Sequence, residues 1–237
     1  EALSTSYSDD VFKYSTTAKS KYIQHIIDTA QNHCGSDVTY EKFGGSNFGS
    51  KEMHEAFNVL EKAMIVALIQ GSPSTRLPLE YNERKRPKLI FLDTGLANYK
   101  LGIRSELLKT NDLNNLYRGR IAEQAVGRAL LSLYNSKKTM VGYWYRNKKG
   151  STSQIDYLLS LDEKIIPIEV KSGATGTLKS VFQFIEESNI DYAIRIYSGS
   201  PQIDSIETKS GKKFRLLSLP FYFLHRIEDL CNQFIQS

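Results

Sequence analysis

The sequence predicts an α/β protein in which a mixed β-sheet packs between helices, preceded by a smaller, mainly helical unit that ends in a β-hairpin. Three observations predict it. The apolar period is helical near the start of the chain and strand-like after it. Two apolar runs, "TSQIDYLLSL" and "KIIPIEV", are separated by the short turn Leu161-Asp162-Glu163-Lys164 and read as an antiparallel pair. A long helical pattern, "NLYRGRIAEQAVGRALLSLYN", precedes this pair, and further helices and strands follow it. A helix, three strands, a helix and a strand make a sandwich around a mixed sheet.

In chain order, residues 18–32 place Tyr22, Ile23, Ile26, Ile27 and Ala30 at helical spacing. "SDVTYEKF" follows with Asp37 as an N-cap, so a second short helix is expected before "GGSNFGS" breaks the chain. Ser50 is expected to cap a third helix with Met53, Phe57 and Leu60 on its apolar face. "AMIVALIQ" reads as a strand, "GSPSTRLP" as a turn and "PKLIFLD" as a returning strand. Three short helices followed by a hairpin is the order of a winged helix, assigned to residues 1–92. The same elements also fit a helical subdomain packed on a larger body.

The second domain is assigned to residues 93–237. "LDTGLANYKLGI" reads as a strand end entering a short helix, and the long helix comes next. Strands are expected at "VGYWYRN", "TSQIDYLLSL" and "KIIPIEVKSG", followed by a helix at 178–188 and strands at "DYAIRIYS" and "KFRLLSL". A C-terminal helix runs through Phe223, Ile227, Leu230 and Phe234. Trp144, between Tyr143 and Tyr145, is expected to pack its strand on the core.

At 237 residues the chain can bury a core without disulfides. Cys34 and Cys231 have no metal-ligand spacing, so no disulfide framework or zinc site is implied and a reducing cytoplasm is expected. The longest apolar stretch, "AMIVALI", is far too short to cross a bilayer, and no signal-peptide pattern opens the chain. A net charge of +5 is compatible with a polyanionic partner. Residues 51–62 nonetheless balance Lys51 and Lys62 against Glu52, Glu55 and Glu61, so the third helix carries no basic stripe. Arg84-Lys85-Arg86, beside the expected wing, is the denser basic run. "GGSNFGSK" reverses the Gly-Lys-[Ser/Thr] order of a phosphate-binding loop, so this chain is not expected to bind ATP by itself. His25, His33, His54 and His225 have neither a nucleophile partner nor ligand spacing. The chain opens on Glu1 and is expected to be a piece of a longer protein.

Chemistry concentrates at Asp156 and at Glu169-Val170-Lys171. Phosphodiester hydrolysis needs a hard cation held by oxygen ligands, which polarises the phosphoryl group and activates water. A lysine adds positive charge near the developing oxyanion. By strand alternation Glu169 and Lys171 share a face, with Ile168 and Val170 on the other. The same rule sets Gln154, Asp156 and Leu158 opposite Ile155, Tyr157 and Leu159. A solvated amphipathic strand is the plainer reading of Glu-x-Lys, but "KIIPIEV" is apolar enough to be buried on both faces, where charges need partners. Glu123 falls on a helix face with Leu116, Gly119, Val126, Gly127 and Leu130. An ion pair with Arg120, a boundary position and a metal-site role all fit it. Gly119 and Gly127 would let that helix approach the sheet closely.

Glu123, Asp156 and Glu169-x-Lys171, with a helix following, resemble the PD-(D/E)xK nuclease fold. "PKLIFLDTGLANYKLGI", "GRIAEQAVGRAL", "QIDYLL" and "IIPIEVKSGATGTLKSVFQF" resemble the C-terminal half of prokaryotic AAA-type ATPases, in which a P-loop module precedes a winged helix and a nuclease-like domain. The resemblance implies a restriction-endonuclease-like sandwich behind a winged helix. It also implies magnesium or manganese held by Asp156, Glu169 and the Val170 carbonyl, with Lys171 at the attacking water and Glu123 at a second metal through water. Ser180 and Gln183 would be auxiliary polar groups. Relatives carry an acidic residue where this chain has Gln154, which would weaken metal binding. DNA is the implied partner, with Lys148, Lys149 and Lys179 along its backbone, together with an ATPase domain absent from this chain. Two functions are compatible with these expectations: a magnesium-dependent DNA endonuclease, or a non-catalytic nuclease-fold module that couples the ATPase to DNA or another partner.

Overall fold

A computed structural model describes residues 17–95, 119–133, 141–161, 163–173 and 177–236. The mixed α/β class is as expected. Helices α1 (Thr17–Thr29) and α2 (Ser50–Lys62) lead into strands β1 (Val66–Ile69), β2 (Gly71–Ser72) and β3 (Lys88–Phe91). Helix α3 (Arg120–Leu133) is followed by β4 (Val141–Tyr145), β5 (Gln154–Leu161) and β6 (Lys164–Val170). The chain ends with α4 (Lys179–Glu187), β7 (Tyr192–Tyr197), β8 (Gln202–Glu207), β9 (Lys213–Pro220) and α5 (Ile227–Gln236).

Seven strands form one sheet in the order β2-β4-β5-β6-β7-β9-β8. β4, β5 and β6 run antiparallel in sequence, whereas β6, β7 and β9 are mutually parallel neighbours. One face packs with α3 and α5 through Val126, Leu130, Tyr157, Ile166, Ile168, Ile194 and Ile227. The other packs under α4 through Trp144, Ile155, Leu158, Val181, Phe184 and Leu216. Trp144 is a core residue, edge-on to Phe184 at 5.2 Å between ring centroids. Gly127 permits the approach of α3, since a Cβ there would meet the Tyr157 hydroxyl at 2.6 Å and Ile90 Cδ1 at 2.7 Å. Gly119, also expected to be such a point, faces nothing within 4 Å.

The N-terminal region departs from the expected order of elements. No second helix forms at Asp37, because the chain there runs beside β3. Val38 N–H bonds the Pro87 carbonyl at 2.8 Å, and Asp37 makes a bridge to Lys88. Between α1 and α2 the described residues hold only 3-10 turns at Ala30–His33 and Phe43–Gly45. Ser50 is the first residue of α2 rather than its cap, and Gly49 takes the N-cap position. The segment read as a turn between the two hairpin strands contains β2, which joins the edge of the large sheet beside β4. The edge strand β8 carries little hydrophobic signal, with Ile203 59% exposed, and was not expected from the sequence. Residues 96–118, which cover the rest of the short helix predicted after Asp93 and the first residues of the long helix pattern, lie outside the described residues.

The antiparallel β1–β3 hairpin is buried on both faces. Val66, Leu68, Leu89 and Phe91 enter the core of α1 and α2. Ala67, Ile69 and Ile90 enter the core beneath α3. Strand alternation gives Lys88 the same side as Ile90, so a lysine faces the sandwich from the hairpin. Gln124 of α3 fixes the join: its Oε1 accepts from Phe91 N–H at 2.9 Å and its Nε2 donates to Phe91 O at 2.6 Å. Gly35, at φ +68°, lies where a Cβ would be 2.1 Å from the Arg120 carbonyl oxygen, so the start of α3 closes directly on the N-terminal segment.

Gln124→Leu keeps the side chain's bulk but leaves the Phe91 donor and acceptor unpaired in the core. Urea denaturation is expected to show a loss of roughly 1–3 kcal/mol. A change below about 0.5 kcal/mol, the size typical of neutral surface substitutions, would contradict the clamp.

Candidate functional site

The site is built where β5, β6, the first turn of α3 and the start of β3 meet. Asp156 occupies it because of a β-bulge. Gly142 pairs with Leu158 and Trp144 with Ile155, so Asp156 and Tyr157 together oppose the single residue Tyr143. A two-against-one bulge turns both of its residues toward one side and interrupts strict alternation. Asp156 therefore lies with Tyr157 on the α3 side, not opposite it as alternation predicts. Ile155 and Leu158 both enter the core beneath α4.

Beyond the Tyr157↔Ile168 pair, the Asp156 carboxylate continues the contact with β6: its Oδ2 accepts from Val170 N–H at 2.8 Å. Ile166, Ile168 and Val170 face the α3 side, so Glu169 and Lys171 share the other face as predicted. Lys171 Nζ donates to Glu169 Oε1 at 2.6 Å. Glu169 is 5% exposed, and its Oε2 has no hydrogen-bond partner among the described residues. Burial raises its carboxyl to about 8; the Asp156 charge adds to the rise and Lys171 opposes it.

Glu123 lies in the first turn of α3, but the partner is not Arg120. It is Lys88, whose ammonium donates to Glu123 Oε2. The same Nζ donates to the Asp156 carbonyl at 3.3 Å, lies 3.8 Å from Asp156 Oδ1 and stands 4.8 Å from the centre of the Tyr157 ring. Tyr157 completes the cluster by donating its hydroxyl to the Glu123 carbonyl at 2.6 Å. Burial by itself would lower the Lys88 pKa, but Glu123 and Asp156 outweigh it and hold the ammonium in its charged form. Burial raises the Glu123 carboxyl to about 7, with Lys88 pulling it down and Asp156 pushing it up. In the sequence "PKLIFLD" is a plain strand with no sign of a site residue beyond a lysine alternating with apolar residues on a strand apolar on both sides.

Fixed cations thus engage Glu123 and, at longer range, Asp156 from one side, and Glu169 from the other. Three carboxyls face two ammoniums, so full ionisation leaves an excess negative charge. Among the described residues, no group of three His, Cys, Asp or Glu side chains could hold a metal ion. Among the described residues Glu169 Oε2 is buried and without a partner, and the charge of Asp156 acts on the Glu169 carboxyl, so these are the two groups that could hold a single hard cation. Glu123 Oε2 is already engaged by Lys88.

Gln183, Lys148 and Lys85, three of the other expected groups, have structural partners. Gln183 donates to Glu187 on its own helix at 3.0 Å, and Glu187 also binds Arg146 at 2.5 Å and Lys148 at 3.3 Å. Lys85, from the basic run, lies 4.6 Å from the centre of the Tyr145 ring. Lys149 and Lys179 are exposed. No helix among the described residues is long and apolar enough to cross a membrane.

Raised carboxyl pKa values have a definite sign in stability. The folded chain keeps protons on Glu169 and Glu123 that the unfolded chain releases near 4.5, so stability falls as pH rises from about 4.5 to about 8. In chelator, Glu169→Gln is expected to flatten that fall and to raise the melting temperature near about pH 9 relative to wild type. An unchanged pH slope would show that Glu169 titrates normally.

Residues 1–107 match a family described as a domain of unknown function, DUF8612, and residues 118–222 match a second, DUF4143. No curated protein and no solved structure matches the chain. Glu123, Asp156, Glu169 and Lys171 fall in the second match and Lys88 in the first, so the candidate site joins two regions that are each similar to a family of undetermined function.

Proposed function

We propose that the sandwich is a PD-(D/E)xK nuclease-like domain and a magnesium-dependent phosphodiesterase acting on DNA, carried behind a winged-helix-like unit in a AAA-type ATPase. One observation carries the reading: a buried glutamate with an oxygen that has no partner among the described residues, bound to a lysine and acted on by the charge of an aspartate locked to the adjoining backbone. A merely structural Glu-x-Lys pair has no need of a second carboxylate close enough for its charge to act on the glutamate. Asp156, Glu169 and the Val170 carbonyl would hold the ion, which when bound supplies Lewis-acid polarisation and a more acidic water. Asp156 is oriented for this by the Val170 N–H and by the bulge. Lys171, with its side chain 25% exposed, is open to solvent and can face a phosphate while its charge remains beside Glu169. There it would hold the attacking water and offset charge on the oxyanion.

A second reading, a non-catalytic module coupling the ATPase to DNA or another partner, is favoured by a different observation. Lys88 uses Glu123 and Asp156 to tie the N-terminal hairpin to the sandwich, a structural use of two of the three carboxylates.

Cleavage of single- and double-stranded DNA in magnesium or manganese separates the two readings. Wild type should cleave only with metal, and Lys171→Ala and Asp156→Asn should each lose roughly 100-fold or more. Equal cleavage by all three, or none by a folded wild type, would overturn the nuclease reading and leave the coupling module.

A further inference from the structure

We propose that Lys88 is a positioning residue of the acidic centre, its ammonium serving as a permanent cation at the Glu123–Asp156 position and excluding a divalent ion there. The role rests on reading Asp156 and Glu169 as a cation-binding pair, but it concerns the other side of Asp156.

Geometry and burial carry the proposal. The Lys88 side chain is 2% exposed and Glu123 22% exposed, so the pair is not a loose surface contact. Its Nζ meets three oxygens on two elements: Glu123 Oε2, Asp156 O and Asp156 Oδ1. A positive centre shared by two carboxylates and a carbonyl has the donor set that a hard cation takes. The negative face of the Tyr157 ring adds a further favourable surface.

The lysine is also held in place from behind. Leu89 and Phe91 are anchored in the N-terminal core, Ile90 lies in the sandwich core, and Gln124 clamps Phe91. Asp37 and Val38 pair along Lys88 and Pro87. Withdrawing Lys88 would require breaking these contacts together, so the ammonium is a fixed part of the centre. Its attraction for Oδ1 and its bond to the Asp156 carbonyl fix one side of Asp156, and the Val170 N–H fixes Oδ2. The N-terminal region thereby supplies a component of a site whose other groups all lie beyond residue 118.

The test counts manganese ions by calorimetry and by the paramagnetic resonance of free Mn2+, on the full chain. Lys88→Met keeps most of the side-chain volume and removes the charge. It should bind about one more Mn2+ per chain than wild type, at Glu123 and Asp156, and its melting temperature should rise by roughly 5 °C or more on adding Mn2+. Lys88→Met/Glu123→Gln should lose the additional ion. If Lys88→Met folds only when Mn2+ is present, the proposal is equally supported. If it binds no more Mn2+ than wild type, or does not fold even with Mn2+ while the double variant folds, the proposal is overturned. Two ions in wild type, one of them lost on Glu123→Gln, would also overturn it. Failure of the nuclease reading looks different: wild type then binds no Mn2+, so Asp156→Asn has no ion to remove from it, while Lys88→Met still gains its ion.

Discussion

An ammonium group buried between a helix and a sheet must be neutralised where it stands, and at Lys88 that requirement organises much of the molecule. Glu123 must come from the first turn of α3 and Asp156 from a bulge in β5. The hairpin that carries Lys88 must be held against both. The Gln124 clamp, the close approach at Gly127 and the Gly35–Arg120 contact all serve that geometry. An isolated buried charge costs far more than a paired one, so removing either partner would leave the other uncompensated.

The bulge has a second consequence. By turning Asp156 and Tyr157 to the same side, it gives Asp156 two neighbourhoods: Lys88 and Glu123 on the α3 side, and the Val170 backbone at the C-terminal end of β6. Glu169 and Lys171 face the other way along β6 yet are coupled electrostatically to Asp156. The centre is consequently asymmetric, with one carboxylate engaged by a buried lysine and another holding an oxygen without a partner among the described residues. The asymmetry also separates the two functional readings: Lys88 supports the structural one, and the Glu169 oxygen without a partner among the described residues supports the binding one.

Much of this was legible in the chain. The apolar runs of β4, β5 and β6, the long amphipathic α3, and α4 with Val181, Phe184 and Ile185 buried follow directly from hydrophobic periodicity. The Glu169–Lys171 relation follows from alternation alone. Where periodicity is weak, the elements are not legible in the chain. β8 is a solvated edge strand and β2 spans only two residues. The segment at Asp37 carried a helix-start signal that pairing beside β3 overrode.

The sequence by itself determined the residue types of the centre and the order of the elements that bear them, because hydrophobic period and charge are local properties of a chain. Tertiary structure decided which charges meet. No local rule gives a bulge at Asp156, and none connects Lys88 on β3 with Glu123 on α3, 35 residues later. That contact exists because the hairpin is buried on two faces at once, and the buried ammonium is met there by Glu123 and Asp156, with the charge of Asp37 also acting on it.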